Sequence, residues 1–190
     1  LDKYIYGELV TDKSSFQKGV AIWLSGSIIS TLSITTFLKN LVIYVKQIIS
    51  ESSAELPQES VVEFQTLIIE IENSFEFIDN TSTLITSQLF GFINVFVSVL
   101  IIYLVLKYFF KREPNLIFIA IIYGFSSIPI LLNAPILFFN SIPLQGVILL
   151  STSIFSLVCL GSGLKQVYML RNIEAILLIL FSGFSTLITL

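Results

Sequence analysis

Residues 114–164 read PNLIFIAIIYGFSSIPILLNAPILFFNSIPLQGVILLSTSIFSLVCLGSGL, and this stretch contains no Asp, Glu, Lys or Arg. A helix needs about 20 predominantly apolar residues to cross the hydrocarbon core of a bilayer. The stretch is therefore long enough for two membrane-spanning helices and a short turn. Pro135 and Pro143 favour a turn between the two helices, because proline disrupts the interior of a helix.

Three further runs without charged residues extend this pattern to the rest of the chain. Charged residues make up only 12% of the sequence, about half of what a soluble domain carries. The sequence therefore predicts an all-α integral membrane protein, with about five transmembrane helices in a bundle. The predicted spans are residues 17–38, 83–107, 115–132, 144–164 and 173–190, preceded by a leader at residues 1–16 and interrupted by an acidic segment at residues 39–80.

The distribution of Lys and Arg predicts the orientation of these spans. Positively charged side chains accumulate on the cytoplasmic side of membrane helices. With five spans, one side holds Lys3, Lys13, Lys18, Lys107, Lys111, Arg112, Lys165 and Arg171, and the other holds Lys39 and Lys46. We therefore expect the N-terminus in the cytoplasm and the C-terminus outside, in a protein of the cell membrane.

The segment at residues 39–80 is the one sizeable piece expected outside the bilayer. Its apolar residues follow a spacing of three and four, which places them on one face of a helix. They are Val61, Phe64, Ile68, Ile71, Phe75 and Ile78. Two interpretations are open: an antiparallel helical hairpin that packs on itself, or a docking surface for a partner subunit. Adsorption to lipid is disfavoured, because the polar face is acidic rather than basic.

The composition excludes several classes of chemistry. The chain has no His and a single Cys, which rules out Ser-His-Asp catalysis, thiolate metal clusters and haem ligation by His. No ionisable residue lies near the centre of a predicted span, although ion and proton pathways usually require one. We therefore expect no enzyme activity, no metal and no cofactor, and a coupled transporter is poorly supported.

Small and hydroxyl-bearing residues are frequent within the spans and indicate close helix packing. The candidates for helix-packing positions are Gly26, Ser30, Asn94, Gly161, Gly163 and Gly183. The Asn80-Thr81-Ser82 sequence fits either an N-glycosylation acceptor or a helix cap.

Four short segments resemble the Yip family, the Ypt/Rab-interacting membrane proteins and their prokaryotic Yip-domain relatives. They are DKSSFQK at residues 12–18, IAIIYGFSSIP at 119–129, LGSGL at 160–164 and RNIEA at 171–175. The resemblance implies five spans, a cytoplasmic N-terminus and a role through protein contacts. The acidic segment is longer than the family usually has there, and the Asp-Leu-Tyr-Gly-Pro motif of the eukaryotic branch is absent, so the resemblance does not extend to Rab binding.

These observations lead to one main functional expectation and two alternatives. The main expectation is a non-catalytic scaffold or adaptor that contacts the bilayer and other membrane-protein subunits or a second copy of itself, with no nucleic-acid partner. The first alternative is an accessory subunit of a membrane enzyme complex whose metals lie in other chains. The second is a small-solute channel or permease.

Overall fold

The computed structural model describes residues 5–52, 62–64, 66–70 and 81–188. Within these ranges the chain is helical apart from short connections and contains no strand, which confirms the predicted all-α fold. The helices are α1 (Ile5–Thr11), α2 (Ser15–Ser52), α3 (Thr81–Leu104), α4 (Leu116–Ser126), α5 (Ile142–Tyr168) and α6 (Asn172–Ile188). A π-helical turn (Val105–Phe109) follows α3, and a 3-10 helix (Ile128–Phe138) follows α4.

Four stretches of the described residues are long and apolar enough to cross a membrane. They are Ser15–Glu51, Gln88–Phe109, Leu116–Phe138 and Ile142–Tyr168. The chain is therefore an all-α membrane protein. Helix α6 has 17 residues, which corresponds to about 26 Å at 1.5 Å per residue, slightly less than the hydrocarbon thickness of about 30 Å. A fifth crossing by α6 stays a prediction.

Helix α2 differs from the predicted first span, because it does not end near residue 38. It continues through Lys39 and Asn40 as one helix of 38 residues. The physical reason is the absence of any helix breaker, since no Gly or Pro lies between Gly26 and Ser52. At about 57 Å, the helix is nearly twice as long as the hydrocarbon core is thick. Its last turns therefore belong to the segment that was expected to be separate.

The predicted third span, residues 115–132, is interrupted rather than uniformly α-helical. Helix α4 ends at Ser126, and a 3-10 helix continues the path to Phe138. Pro129 lies at the start of the 3-10 helix and Pro135 lies inside it, where a turn between spans was predicted. Because proline has no N–H to donate, the α-helical hydrogen-bond pattern cannot continue across these positions.

The bundle is assembled around α4. Helix α2 packs along α4 and the 3-10 helix, α5 packs on the other side of both, and α6 lies between α5 and α3. The core contains fully buried apolar side chains from five helical segments, among them Ile102, Leu106, Ile119, Ile122, Leu164 and Leu178. Helices α2 and α3 make little direct contact, so a seam is left between them.

The two turns that precede α4 and α6 lie side by side at one end of the bundle. The Asn115 N–H donates to the Tyr168 hydroxyl over 3.3 Å, and that hydroxyl donates to the Asn115 carbonyl over 3.2 Å. Arg112 donates to the Met169 carbonyl over 3.3 Å. Helix α1 packs against α4 and α5 at the same end. We call this the basic end, and it carries Lys18, Lys107, Lys111, Arg112, Lys165 and Arg171.

Candidate functional site

The first candidate site is a hairpin formed by the last turns of α2 and the helical residues 62–64 and 66–70. Ile68 is buried to 6% exposure in a small apolar cluster with Val42 and Ile49 of α2. Leu38 and Val45 pack against this cluster. Part of the predicted apolar stripe is therefore covered by this chain itself.

The rest of the hairpin presents large apolar side chains without cover from the described residues. Phe64, a member of the predicted stripe, is 47% exposed, whereas Ile68 next to it on the stripe is buried. The exposed set, which we call the hairpin surface, consists of Ile43, Tyr44 and Ile48 of α2 together with Val62, Phe64, Leu67 and Ile69. Val61, Ile71, Phe75 and Ile78 lie outside the described residues.

The second candidate site is a cavity of about 260 Å³ between α2, the α4/3-10 junction and α5. It lies at the middle of these helices, far from either end of the bundle. Its walls carry seven hydroxyl groups, from Ser27, Ser30, Thr31, Tyr123, Ser126, Ser127 and Ser156. We call this cavity the hydroxyl chamber. No Asp, Glu, Lys or Arg lines it.

Most hydroxyl protons of the chamber are directed into the protein. Ser126 and Ser127 donate to the Tyr123 carbonyl over 2.7 and 3.2 Å. Ser156 donates to the Ser126 carbonyl over 2.7 Å, and Thr31 donates to the Ser27 carbonyl over 3.0 Å. Because these protons are used, the oxygen lone pairs are what the chamber wall offers to an occupant.

Gln88 of α3 forms hydrogen bonds across the α2–α3 seam to two residues that line the chamber. The Ser27 hydroxyl donates to Gln88 Oε1 over 2.7 Å, and Gln88 Nε2 donates to the Thr31 hydroxyl over 3.3 Å. Nearby, the rings of Trp23 and Phe92 meet edge to face with centroids 5.9 Å apart. Since α2 and α3 otherwise touch little, these contacts hold the seam together.

An apolar groove of about 270 Å³ adjoins the chamber along the same seam. It is lined by α2, α3 and α4, and Trp23 and Tyr123 line both the groove and the chamber. The groove opens towards the surrounding lipid, since the lining residues Phe92, Phe96 and Ile117 are all more than half exposed. Chamber and groove are therefore neighbouring spaces, the first with a largely polar wall and the second with an apolar one.

The predicted helix-packing residues occupy different environments. A Cβ added to Gly163 would lie 2.5 Å from Ile122 Cγ2, and one added to Gly161 would lie 2.6 Å from Ile179 Cδ1. At Gly26 the nearest atom would be the Ser127 carbonyl oxygen at 3.5 Å. Among the predicted helix-packing positions, the two glycines of α5 are thus more tightly enclosed than Gly26. The surroundings of Gly183 lie outside what the structure describes.

Ser30 and Asn94 lie in different surroundings. Ser30 faces the hydroxyl chamber, and its hydroxyl has no hydrogen-bond partner among the described residues. Asn94 accepts a hydrogen bond from Ser98, one turn further along its own helix. The Gln88 amide forms hydrogen bonds from α3 to α2.

Two buried polar contacts near the chamber were not anticipated from the sequence. Asn133 of the 3-10 helix accepts from the Thr152 hydroxyl of α5 over 2.6 Å, and its carbonyl accepts from Ser33 of α2 over 3.0 Å. The available signal was the presence of single amides in apolar runs, since a polar group in hydrocarbon needs a partner. Asn133 lies one residue beyond the predicted span at residues 115–132, where an asparagine is typical of a turn.

Within the described residues, no three His, Cys, Asp or Glu side chains lie close enough together to hold a metal ion. The chamber can form hydrogen bonds with a bound molecule, and the hairpin surface can bury apolar area against a partner.

Comparison with known proteins gives no further guidance. No protein-family model, no curated protein and no solved structure matches this chain. The resemblance to the Yip family stays a prediction.

Proposed function

We propose that this chain is a non-catalytic integral membrane protein of Yip-like architecture that acts as a scaffold or adaptor through contacts with other membrane proteins. The observation that supports the proposal is the hairpin surface. Its apolar side chains, including Phe64 at 47% and Ile43 at 63% exposure, lie beyond the part of α2 that a bilayer can cover. Surfaces of this kind usually mark an interaction site.

The position of the hairpin surface follows from the length of α2. If the span begins near Lys18, about 20 residues bring the chain to Lys39. The residues from Lys39 to Ser52 then extend about 20 Å further, at 1.5 Å per residue. Each large apolar side chain left in water there costs roughly 1.5–3 kcal/mol relative to burial. A partner that covers the surface recovers this free energy.

The charges around the hairpin surface indicate what kind of partner it fits. Glu51, Glu63 and Glu70 are exposed beside the apolar residues, with Lys46 as the nearest positive charge. An acidic border disfavours the anionic headgroups that attract basic helices. It favours a protein with an apolar strip bordered by Lys or Arg, close to the membrane surface. In the proposed orientation this partner is reached from outside the cell.

The accessory-subunit alternative uses the same surface and differs only in the partner. Co-purification with a membrane enzyme at fixed stoichiometry would identify it. The permease alternative depends on the hydroxyl chamber instead. Flux of a small neutral solute through vesicles that contain the purified chain would favour the permease over the scaffold.

The test of the proposal separates association from folding by using neighbouring residues of opposite burial. Phe64→Ser and Ile69→Ser change exposed residues, so we expect them to reduce association with the partner and to leave thermal stability unchanged. Ile68→Ser opens the buried cluster with Val42 and Ile49, so it should lower stability as well. The measurements are cross-linking and co-purification from native membranes, together with thermal unfolding in detergent.

A matched control lies on α3, where Phe96 is 62% exposed to the lipid. Phe96→Leu should leave both association and stability as in the wild type. If Phe64→Ser and Ile69→Ser together leave every cross-linked partner in place, the hairpin surface is not the docking site and the proposal fails.

A further inference from the structure

We infer that the hydroxyl chamber and the apolar groove together form a binding site for a neutral amphiphile that carries a hydroxyl group, such as a long-chain alcohol. The inference is independent of the proposed scaffold role, because it concerns a different part of the molecule. It starts from the proximity of the two spaces, which share Trp23 and Tyr123 as lining residues.

The shape of the site matches an elongated molecule with one polar end. The chamber and the groove measure about 260 and 270 Å³, so together they fall within the range of about 300–1,000 Å³ that is usual for small-molecule sites. The groove is almost entirely apolar and opens to the lipid, which allows entry from within the bilayer. An alkyl chain fits the groove and a compact polar group fits the chamber.

The chemistry of the chamber selects the polar group. Because Ser126, Ser127 and Ser156 donate their protons to backbone carbonyls, their oxygens can only accept from an occupant. Ser30 has no partner among the described residues and can donate or accept. The hydroxyl group of an alcohol can donate one hydrogen bond to a serine oxygen and accept one from Ser30, so it complements this wall.

Charged ligands do not complement the chamber. No Asp, Glu, Lys or Arg lines it, and it lies near the middle of the spans, where an unpaired charge is costly. An ionised carboxylate has no proton to give to the acceptor oxygens, whereas the protonated acid does. An alkane leaves the Ser30 hydroxyl without a partner, so it gains nothing from the chamber. The site is thus expected to prefer the alcohol over both the ionised fatty acid and the alkane of the same length.

The experiment uses the full chain reconstituted in phosphatidylcholine vesicles with a diazirine-bearing analogue of hexadecanol. After irradiation, we expect cross-links on the α2 and α4 residues that line the chamber and the groove. At alkaline pH, where palmitate is ionised, unlabelled hexadecanol should compete, whereas palmitate and hexadecane should not. Cross-links spread evenly over the lipid-facing surface, or equal competition by all three compounds, would overturn the inference.

Two variants with matched controls locate the site. Ser30→Ala removes the free hydroxyl and should weaken binding about fivefold, which corresponds to the loss of about 1 kcal/mol for one intramembrane hydrogen bond. Ser25→Ala, on the lipid-facing side of the same helix, should bind as the wild type does. Ala120→Phe fills the groove and should abolish cross-linking, unlike Ala21→Phe on the exposed face of α2.

Ser30→Ala only removes an oxygen atom, so the fold is expected to tolerate it, and thermal unfolding verifies this for each variant. If Ser25→Ala and Ala21→Phe weaken cross-linking as much as Ser30→Ala and Ala120→Phe do, the labelling is adventitious and the inference is wrong.

Discussion

Gly124 lies where α4 comes closest to α2. A Cβ added there would lie 2.5 Å from the Gly19 carbonyl oxygen and 2.7 Å from the Gly19 Cα. Both atoms belong to the backbone, so a side-chain movement cannot relieve the contact. Helix backbones in membranes approach closely where both helices carry small residues. This pair of glycines therefore sets the distance between α2 and the rest of the bundle.

We predict that Gly124→Ala destabilises the protein by about 1–3 kcal/mol, the usual cost of overpacking a core. Gly146→Ala is the matched control, since its Cβ would lie 3.8 Å from Phe37 Cε2, an ordinary contact. The control should be neutral or slightly stabilising, because alanine favours a helix more than glycine does. Unfolding in a denaturing detergent series measures both changes. Equal stability of the two variants would show that α2 does not rest on Gly124.

At the scale of the helices, the sequence predicted the membrane-spanning elements but not their interruptions. Runs without charged residues indicate which segments can lie in the hydrocarbon core. Residues 114–164 therefore predicted two spans, and the structure has two stretches there that are long and apolar enough to cross a membrane. A helix in water and a helix in lipid can be continuous, however, so hydropathy does not reveal that α2 extends to Ser52. The change to a 3-10 helix after Ser126 depends on how Pro129 is accommodated by neighbouring helices, and a single sequence does not contain that information.

The candidate sites were predictable to different degrees for a related reason. The apolar stripe at Phe64 and Ile68 has a helical period and could be read directly. The hydroxyl chamber is assembled from residues about 100 positions apart, such as Ser30 and Ser127. Serines in a span indicate packing in general, and only the three-dimensional arrangement shows which of them share a cavity.

The start of α2 is held by Asp12, which follows α1. Its carboxylate accepts from the Ser14 N–H over 3.0 Å, from the Ser14 hydroxyl over 2.7 Å and from Lys18 Nζ over 3.2 Å. The backbone N–H has the largest effect, and together these donors lower the pKa of Asp12 from 3.8 to about 2. The carboxylate therefore stabilises this connection in its ionised form.

Because the folded-state pKa lies below the unfolded value, this stabilisation is complete above about pH 4 and is lost as the pH falls towards 2. We predict that Asp12→Asn lowers the melting temperature at pH 6, and that the difference from the wild type shrinks between pH 4 and pH 2. Lys13→Met, a neighbouring change outside these hydrogen bonds, should show no such convergence. A difference that stays constant down to pH 2 would contradict the role of Asp12.

At the scale of the whole molecule, the turns before α4 and α6 and helix α1 meet at the basic end. The contact between Asn115 and Tyr168 places these turns at one end of the bundle independently of any charge rule. The distribution of Lys and Arg then predicts that this end faces the cytoplasm. The hairpin surface lies at the opposite end of α2.

We predict that a cysteine at Ser50 reacts with a membrane-impermeant maleimide in intact cells, and that a cysteine at Glu113 reacts only after permeabilisation. Both positions are exposed, and Glu113 is preferable to Asn115, whose side chain caps α4. The native Cys159 is buried and is replaced by Ala as the background. Labelling of the Glu113→Cys variant in intact cells would contradict the proposed orientation.

Because α2 is one unbroken helix, a tilt at the level of the chamber displaces its outer end. From Ser30 to Ser52 the helix measures about 33 Å, so a tilt of about 10° moves its outer end by about 6 Å. The same tilt changes the spacing between Ser27 or Thr31 and Gln88 across the seam. A helix longer than the hydrocarbon core accommodates the mismatch partly by tilting. We therefore expect a change in bilayer thickness to change how far the hairpin surface stands from the membrane and how wide the seam opens.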